Sequence, residues 1–184
     1  FDERIARRVR EQGVSCEIHP YSLSIEEIRR REPSGVILSG GPSSVYAATG
    51  PRPDPAVLDL GVPVLGICYG LQTMIHRLGG RVERVGLGEY GRTPVHLPSE
   101  AGPLFTEVPE ASVAWMSHGD SVTELPEGFV KEAVTADGIV AAAGDEARGY
   151  YGLQFHPEVV HTEHGRAILR NFLFRICRAS ADWD

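Results

Sequence analysis

Residues 61–72 read GVPVLGICYGLQ, and the fold turns on this stretch. Its first half is a short run of branched apolar residues, the pattern of a parallel strand covered on both faces. Its second half opens the segment 69–80, YGLQTMIHRLGG, which reads as a helix closed by glycines. Cys68 stands where the strand stops and the helix starts, with Gly66 and Gly70 two positions to either side. The form G-x-C-x-G matches the G-x-S-x-G nucleophile turn, in which small neighbours permit a sharp bend and leave the reactive atom exposed at the carboxyl end of the strand. There the helix dipole favours a thiolate, and the Tyr69 amide points towards an oxyanion.

The surrounding chain repeats the strand–helix alternation. Upstream, residues 4–12 place Ile5, Val9 and Gln12 on one face of an amphipathic helix ended by Gly13. VSCEIHP, residues 14–20, reads as a strand. SIEEIRRREP follows as a helix capped by Ser24, with Glu27 three residues later, and then GVILSGGP as another short strand closing in a glycine turn. Such alternation predicts an α/β domain with a parallel sheet and helices on both faces. From about Arg81 to Gly152 the pattern changes to short segments, RTPVHLP, SVAWMS, FVKEAVTA, GIVAAAG and YYGLQF, separated by Gly, Pro and Asp turns. These read as strands joined largely by hairpins. A last amphipathic helix carries Ile168, Leu169, Phe172 and Ile176.

With 184 residues, 42% of them hydrophobic, the chain supports one well-buried core, and residues 1–184 are read as a single domain. A formal net charge of −7 without any basic cluster argues against nucleic acid and anionic membrane as partners. No apolar run approaches the roughly 18 residues of a membrane span, and the first residues lack a signal-peptide core, so a cytoplasmic location is expected. Cys16, Cys68 and Cys177 are far apart and odd in number, which suggests neither a disulfide framework nor a zinc site. His161, Glu163 and His164 form no complete ligand set, so no metal is expected.

A thiol nucleophile needs a base, and the base needs a group to hold its ring. In GLQFHPEVVHTEHG, Pro157 biases His156 towards extended chain, where residues i and i+2 project to the same side and bring Glu158 to the ring. WMSHGD offers a competitor, since His118 has Asp120 at the same offset and is read as lying in a loop. Spacing alone does not choose between the two histidines.

Four segments taken together, SGGPSSVY (39–46), GICYGLQ (66–72), WMSHGD (115–120) and GLQFHPEVVHTEHG (152–165), resemble the class I (triad) glutamine amidotransferases. Tyr69 after the cysteine, WMSHGD and HPEV-x-HT are similar in particular to the glutaminase part of GMP synthetases. The resemblance implies a flavodoxin-like fold, with a mostly parallel central sheet flanked by helices and an additional antiparallel strand region. It assigns Cys68 as nucleophile, His156 as base and Glu158 as its orienter, with Tyr69 and Gly41 as oxyanion donors. Substrate contacts carried over from the family fall on Ser43, Gln72, Ser117, His118, Gly119 and Asp120, and Gly41 adds to them. On the residues alone, SGGP reads as a tight turn and Ser117 to Asp120 as a hairpin loop.

The same resemblance implies hydrolysis of L-glutamine through a cysteine thioester, without a cofactor in this domain. The ammonia would pass to an ATP-pyrophosphatase domain or subunit that uses ATP and Mg to aminate XMP to GMP. That second part is not encoded here, because SGGPSS leads into VYAATGPRP rather than a phosphate-binding helix start. The family's opening strand and D-F-G-S-Q segment are also expected to precede residue 1. Two rivals share the fold: a γ-glutamyl hydrolase or peptidase, which would cleave γ-glutamyl peptides, and a non-catalytic module, which would have no reason to keep all three triad residues.

Overall fold

The computed structural model describes residues 2–39, 44–46 and 52–183. Helix α1, Asp2–Glu11, buries Ile5, Ala6 and Val9 and carries acidic residues in its first turn and basic ones in its last, which suits the helix dipole. Gly13 ends it at φ +81°. Helix α2, Ile25–Arg30, starts as expected: the Ser24 hydroxyl accepts from the Glu27 amide at 3.2 Å.

Seven strands form one sheet among the described residues. They are β1 (Val36–Leu38), β2 (Val64–Ile67), β3 (Arg81–His96), β4 (Ala111–Glu124), β5 (Val130–Thr135), β6 (Val140–Asp145) and β7 (Tyr150–Leu153), in the order β1-β2-β7-β6-β5-β3-β4. β1, β2 and β7 run parallel, with Ile37 opposite Leu65 and Leu65 opposite Tyr151. From β7 outward every pairing is antiparallel. The α/β class stands, and the antiparallel region makes up the larger share of the described sheet, because β3 and β4 are one long hairpin.

β2 is wholly buried, as its composition demands. Its side chains alternate between two cores. Val64 joins Leu71, Met74 and Ile75 of helix α3 (Tyr69–Arg77) on one face. Leu65 and Ile67 join Ile5 and Val9 of α1 and Ile168, Leu169 and Phe172 on the other. Those last residues come from helix α4, Gly165–Arg170, and from the wide final turn Asn171–Ile176, where the Cys177 amide donates to the Phe172 carbonyl at 2.8 Å. The sheet is therefore covered on both faces, and the strand-to-helix junction at Cys68 lies between the layers.

Three expectations need correction. Residues 14–20 form no strand: the segment has no ladder partner among the described residues, and an extended segment without a neighbour makes no sheet. The Arg10 guanidinium instead donates to the Cys16 carbonyl at 2.6 Å. A cavity of about 500 Å³ lies beside this segment and β1, lined by Val14, Cys16, Ile18, Ile37 and Phe172 among others, and Cys68 is not part of its wall. Second, β3 and β4 extend well beyond RTPVHLP and SVAWMS. Third, Ser117 to Asp120 belong to β4, so His118 stands in a strand and not in a loop. Among the described residues no helix is long and apolar enough to cross a membrane.

Candidate active site

The two glycines of G-x-C-x-G are explained by backbone contacts. A Cβ on Gly70 would lie 2.0 Å from the Leu38 carbonyl oxygen, and one on Gly66 would lie 2.7 Å from the Gly70 backbone. Only hydrogen side chains let α3 start this close to β1 and β2. Cys68, wedged between them, takes φ +55° and ψ −110°. A non-glycine residue there costs on the order of 1–3 kcal/mol, a strain that concentrates at functional sites. Its amide donates to the Leu153 carbonyl of β7 at 2.7 Å, so the turn is tied to the neighbouring strand.

The thiol is nearly buried and meets three groups. Cys68 Sγ donates to the Ser117 carbonyl at 3.6 Å, and Gln154 Nε2 donates to Sγ, also at 3.6 Å. The third is the His156 ring, which is hydrogen-bonded to the Cys68 side chain. Gln72, on α3, donates to Gln154 Oε1 at 3.1 Å and to the Asp120 carbonyl at 2.9 Å, which joins the helix, the thiol's neighbour and β4 in one network.

His156 follows β7 directly, and its position is fixed at several points. Its amide donates to the Trp115 carbonyl at 3.0 Å, and its carbonyl accepts from the Thr162 hydroxyl at 2.6 Å. Its Nδ1 lies 2.8 Å from Glu158 Oε1. A carboxylate only accepts, so Nδ1 carries the proton and Nε2 is left for Cys68. Both side chains are buried, His156 at 2% and Glu158 at 1% exposure. Burial acts to lower the His156 pKa, but hydrogen bonds to Cys68 and Glu158 and the charges of both outweigh it and push it up to about 9. The i, i+2 pairing expected from extended chain is therefore present by another route, since Pro157 and Glu158 lie in a turn. Arg8 Nε donates to the Glu158 carbonyl at 3.0 Å, and a Cβ on Gly165 would lie 2.1 Å from the Pro157 oxygen, so α1 and α4 both press on that turn.

His118 and Asp120 share the spacing but not the geometry. His118 Nδ1 donates to the Asp120 backbone carbonyl at 2.6 Å, and Nε2 faces Glu89 Oε1 at 2.9 Å. The Asp120 carboxylate instead accepts from the Ser44 hydroxyl at 2.9 Å. The structure thus brings Cys68, His156, Glu158, Tyr69, Gln72 and Ser117 together and places His118, Gly119 and Asp120 along β4 beside them. Gly41 and Ser43 lie outside the described residues. Nothing in the sequence pattern points to Gln154, Glu89 or Thr162, although Gln154 and Thr162 sit inside GLQFHPEVVHT. Among the described residues, no group of three or more His, Cys, Asp or Glu side chains is arranged to hold a metal ion.

The family model for "Glutamine amidotransferase class-I" matches residues 1–176. The chain is 52% identical over 184 residues to a protein named GMP synthase [glutamine-hydrolyzing] from Prochlorococcus marinus, covering all of this chain and 35% of that one. It is 50% identical over 183 residues to the protein of the same name from Caldicellulosiruptor saccharolyticus, covering 36% of it. The chain thus spans about a third of the length of these curated relatives. Among solved structures, a putative GMP synthase subunit from Thermoplasma acidophilum superposes with a TM-score of 0.79 at 30% identity, over 97% of this chain and 88% of that one. A glutamine amidotransferase from Thermotoga maritima, with a TM-score of 0.74 at 22% identity over 92% of this chain and 89% of that one, shares the fold.

Proposed function

This chain belongs to the class-I glutamine amidotransferase family, and from that premise we propose that it is the glutaminase part of a GMP synthase, with Cys68, His156 and Glu158 as its catalytic triad. The observation that carries the triad is the position of the His156 ring, hydrogen-bonded to the Cys68 side chain and, through Nδ1, to Glu158 at 2.8 Å.

In this reading the Cys68 thiolate attacks the side-chain amide carbon of glutamine. The carbonyl π electrons move to oxygen, and the amide of Tyr69, the first residue of α3, donates to the resulting oxyanion, with Gly41 as the second donor by family analogy. His156, protonated and held by Glu158, gives its proton to the departing nitrogen as the C–N bond breaks. Ammonia leaves and a γ-glutamyl thioester remains. His156 then takes a proton from water, whose oxygen attacks the thioester, and collapse of the second tetrahedral species releases glutamate and the thiolate. Gln72, Ser117, His118, Gly119, Asp120 and Ser43 supply the substrate contacts. No cofactor enters these steps.

The relatives' names and the chain's one-third share of their length support a partner that carries out the rest of the reaction, an ATP-pyrophosphatase part that aminates XMP with Mg-ATP. A cytoplasmic location belongs to the same reading and accords with three cysteines that form no disulfide. The test is glutamate release from glutamine, alone and in the presence of the synthetase part, XMP and Mg-ATP, beside Cys68→Ala. Activity that vanishes in Cys68→Ala and rises with the partner is expected. Equal activity in Cys68→Ala removes the triad, and γ-glutamyl peptide cleavage without stimulation by the partner transfers the chain to the hydrolases.

A further inference from the structure

Strand β3 breaks register against β4 between Arg84 and Glu89: Arg84 pairs with Asp120 and Glu89 with His118, so residues 85–88 bulge outward opposite Gly119 alone. The bulge is built on glycine. Gly86 and Gly88 take φ +58° and +79°, and a Cβ on Gly88 would lie 2.4 Å from the His118 carbonyl oxygen and 2.9 Å from Gly119 Cα. The bulge therefore rests backbone-to-backbone on the stretch that carries the substrate contacts.

Its outer side is apolar without a core role. Leu87 is 87% exposed, Tyr90 65% and Val85 38%. Three such residues within six positions on one hairpin form the kind of exposed apolar cluster that marks a contact surface. Its inner side is polar and ordered. Glu89 reaches the buried His118 ring at 2.9 Å, and the opposite ring nitrogen donates to the Asp120 carbonyl at 2.6 Å. Both ring nitrogens are thus engaged, and His118 acts as a strut that ties β3 to β4. The next residue back, Ser117, accepts from the Cys68 thiol.

We propose that the bulge at residues 85–90 is the surface on which the ammonia-accepting synthetase part docks, and that the Glu89–His118 strut transmits that docking to the substrate strand beside Cys68. The proposal rests on the GMP synthase reading and adds to it where the partner sits and how it acts. The synthetase part is the fitting occupant for two reasons. Ammonia released into water at neutral pH is protonated and lost as a nucleophile, so its acceptor must meet the chain beside the cysteine, where the bulge stands. The curated relatives also carry about two thirds of their length beyond the matched portion, ample for a partner that covers this face. Glu89 is a positioning residue here, acting through His118 and not on glutamine.

The test uses the complete enzyme, glutaminase and synthetase parts together, with three readouts: glutamate release without XMP and ATP, GMP formation from glutamine, and GMP formation from added ammonium. Leu87→Asp is expected to leave the first and third within about twofold of wild type and to lower the second at least tenfold, with more glutamate released per GMP formed. Glu89→Gln is expected to raise KM for glutamine in the stimulated reaction more than it lowers kcat, with ammonium-dependent synthesis intact and Glu89→Asp partly restoring coupling. Wild-type coupling in Leu87→Asp overturns the docking assignment. So does a loss of unstimulated glutamate release in Leu87→Asp, which would make the bulge part of the reaction site. A homodimer that Leu87→Asp dissociates, with coupling retained, assigns the bulge to a second copy of the chain and overturns it too. If the wild-type enzyme forms GMP from ammonium but never from glutamine, the functional reading itself fails, independently of the variants.

Discussion

His156 Nδ1 and Glu158 Oε1 stand 2.8 Å apart in a part of the protein that solvent scarcely reaches. That bond fixes the tautomer and leaves Nε2 for the thiol. Glu158→Gln keeps the size of the side chain, but its amide can present a donor to Nδ1 and so favours the wrong tautomer. By analogy with the loss seen when a triad carboxylate becomes an amide, kcat for glutaminase is expected to fall about 10²–10⁴-fold with a smaller change in KM. Steady-state kinetics on a folded variant, verified by circular dichroism, checks this. An unchanged kcat would remove Glu158 from the triad.

The same pair sets a pH dependence. Burial works against charge on His156, but its bonds to Cys68 and Glu158 raise its pKa from 6.5 to about 9. A raised folded pKa stabilises the protein most below the unfolded value, and the contribution is lost as pH rises through about 9. In the proposed mechanism His156 is protonated when ammonia leaves, so the glutaminase rate is expected to fall on an alkaline limb near pH 9, not near 6.5. A pH profile of kcat measures it, and in Glu158→Gln the limb should move to lower pH.

Gly70 offers a test of the turn independent of chemistry. A Cβ there would meet the Leu38 carbonyl oxygen at 2.0 Å and its carbon at 2.6 Å, both backbone atoms of β1 that no side-chain rotation can move aside. Overpacking ordinarily costs about 1–3 kcal/mol, and backbone collision belongs at or above the upper end. Gly70→Ala is expected to lower Tm by roughly 6 °C or more, given about 2–4 °C per kcal/mol for a chain of this size. Thermal unfolding of the two proteins side by side decides, and an unaltered Tm would mean that α3 does not start against β1 as described.

What the sequence disclosed and what it hid divide along a physical line. β2, α3 and the Cys68 turn were legible because everything that makes them is local: a buried apolar run, then glycines at fixed offsets. Helices α1 and α2 were legible for the same reason, through Ser24 and the spacing of Ile5 and Val9. Residues 14–20 have the composition of a strand, but pairing is decided by a neighbour that composition does not reveal. The first part of β3, VERVGLGEYG, has no alternation, and among the described residues it is held in the sheet only where 82–84 and 89–91 pair with β4. At the site, His156–Glu158 and His118–Asp120 are indistinguishable by spacing. They part only in three dimensions, where Thr162 and Trp115 fix one histidine near the thiol and Glu89 draws the other ring away.

Glu132 provides a prediction remote from the triad. It lies in β5 at 4% exposure, its Oε2 has no hydrogen-bond partner among the described residues, and Gly102 and Gly144 crowd it closely enough that a Cβ on either would lie 2.9 Å from Oε1. Burial, reinforced by the nearby Glu146 charge, raises its pKa from 4.5 to about 7. The sign is that of a group favoured protonated in the fold: its contribution is intact below 4.5 and is lost as pH rises through about 7. Above that pH the folded state must hold a buried carboxylate that has no ion pair among the described residues or give up packing around β5 and β6. Glu132→Gln retains the shape of the neutral acid and cannot ionise, so it should change Tm little at pH 5 and raise it by about 3 °C or more at pH 8. Tm measured across pH for both proteins tests this, and parallel curves would show that Glu132 finds a partner or solvent in solution. Glutaminase activity should be unaffected at either pH, since among the described residues no hydrogen bond joins β5 to the Cys68 network.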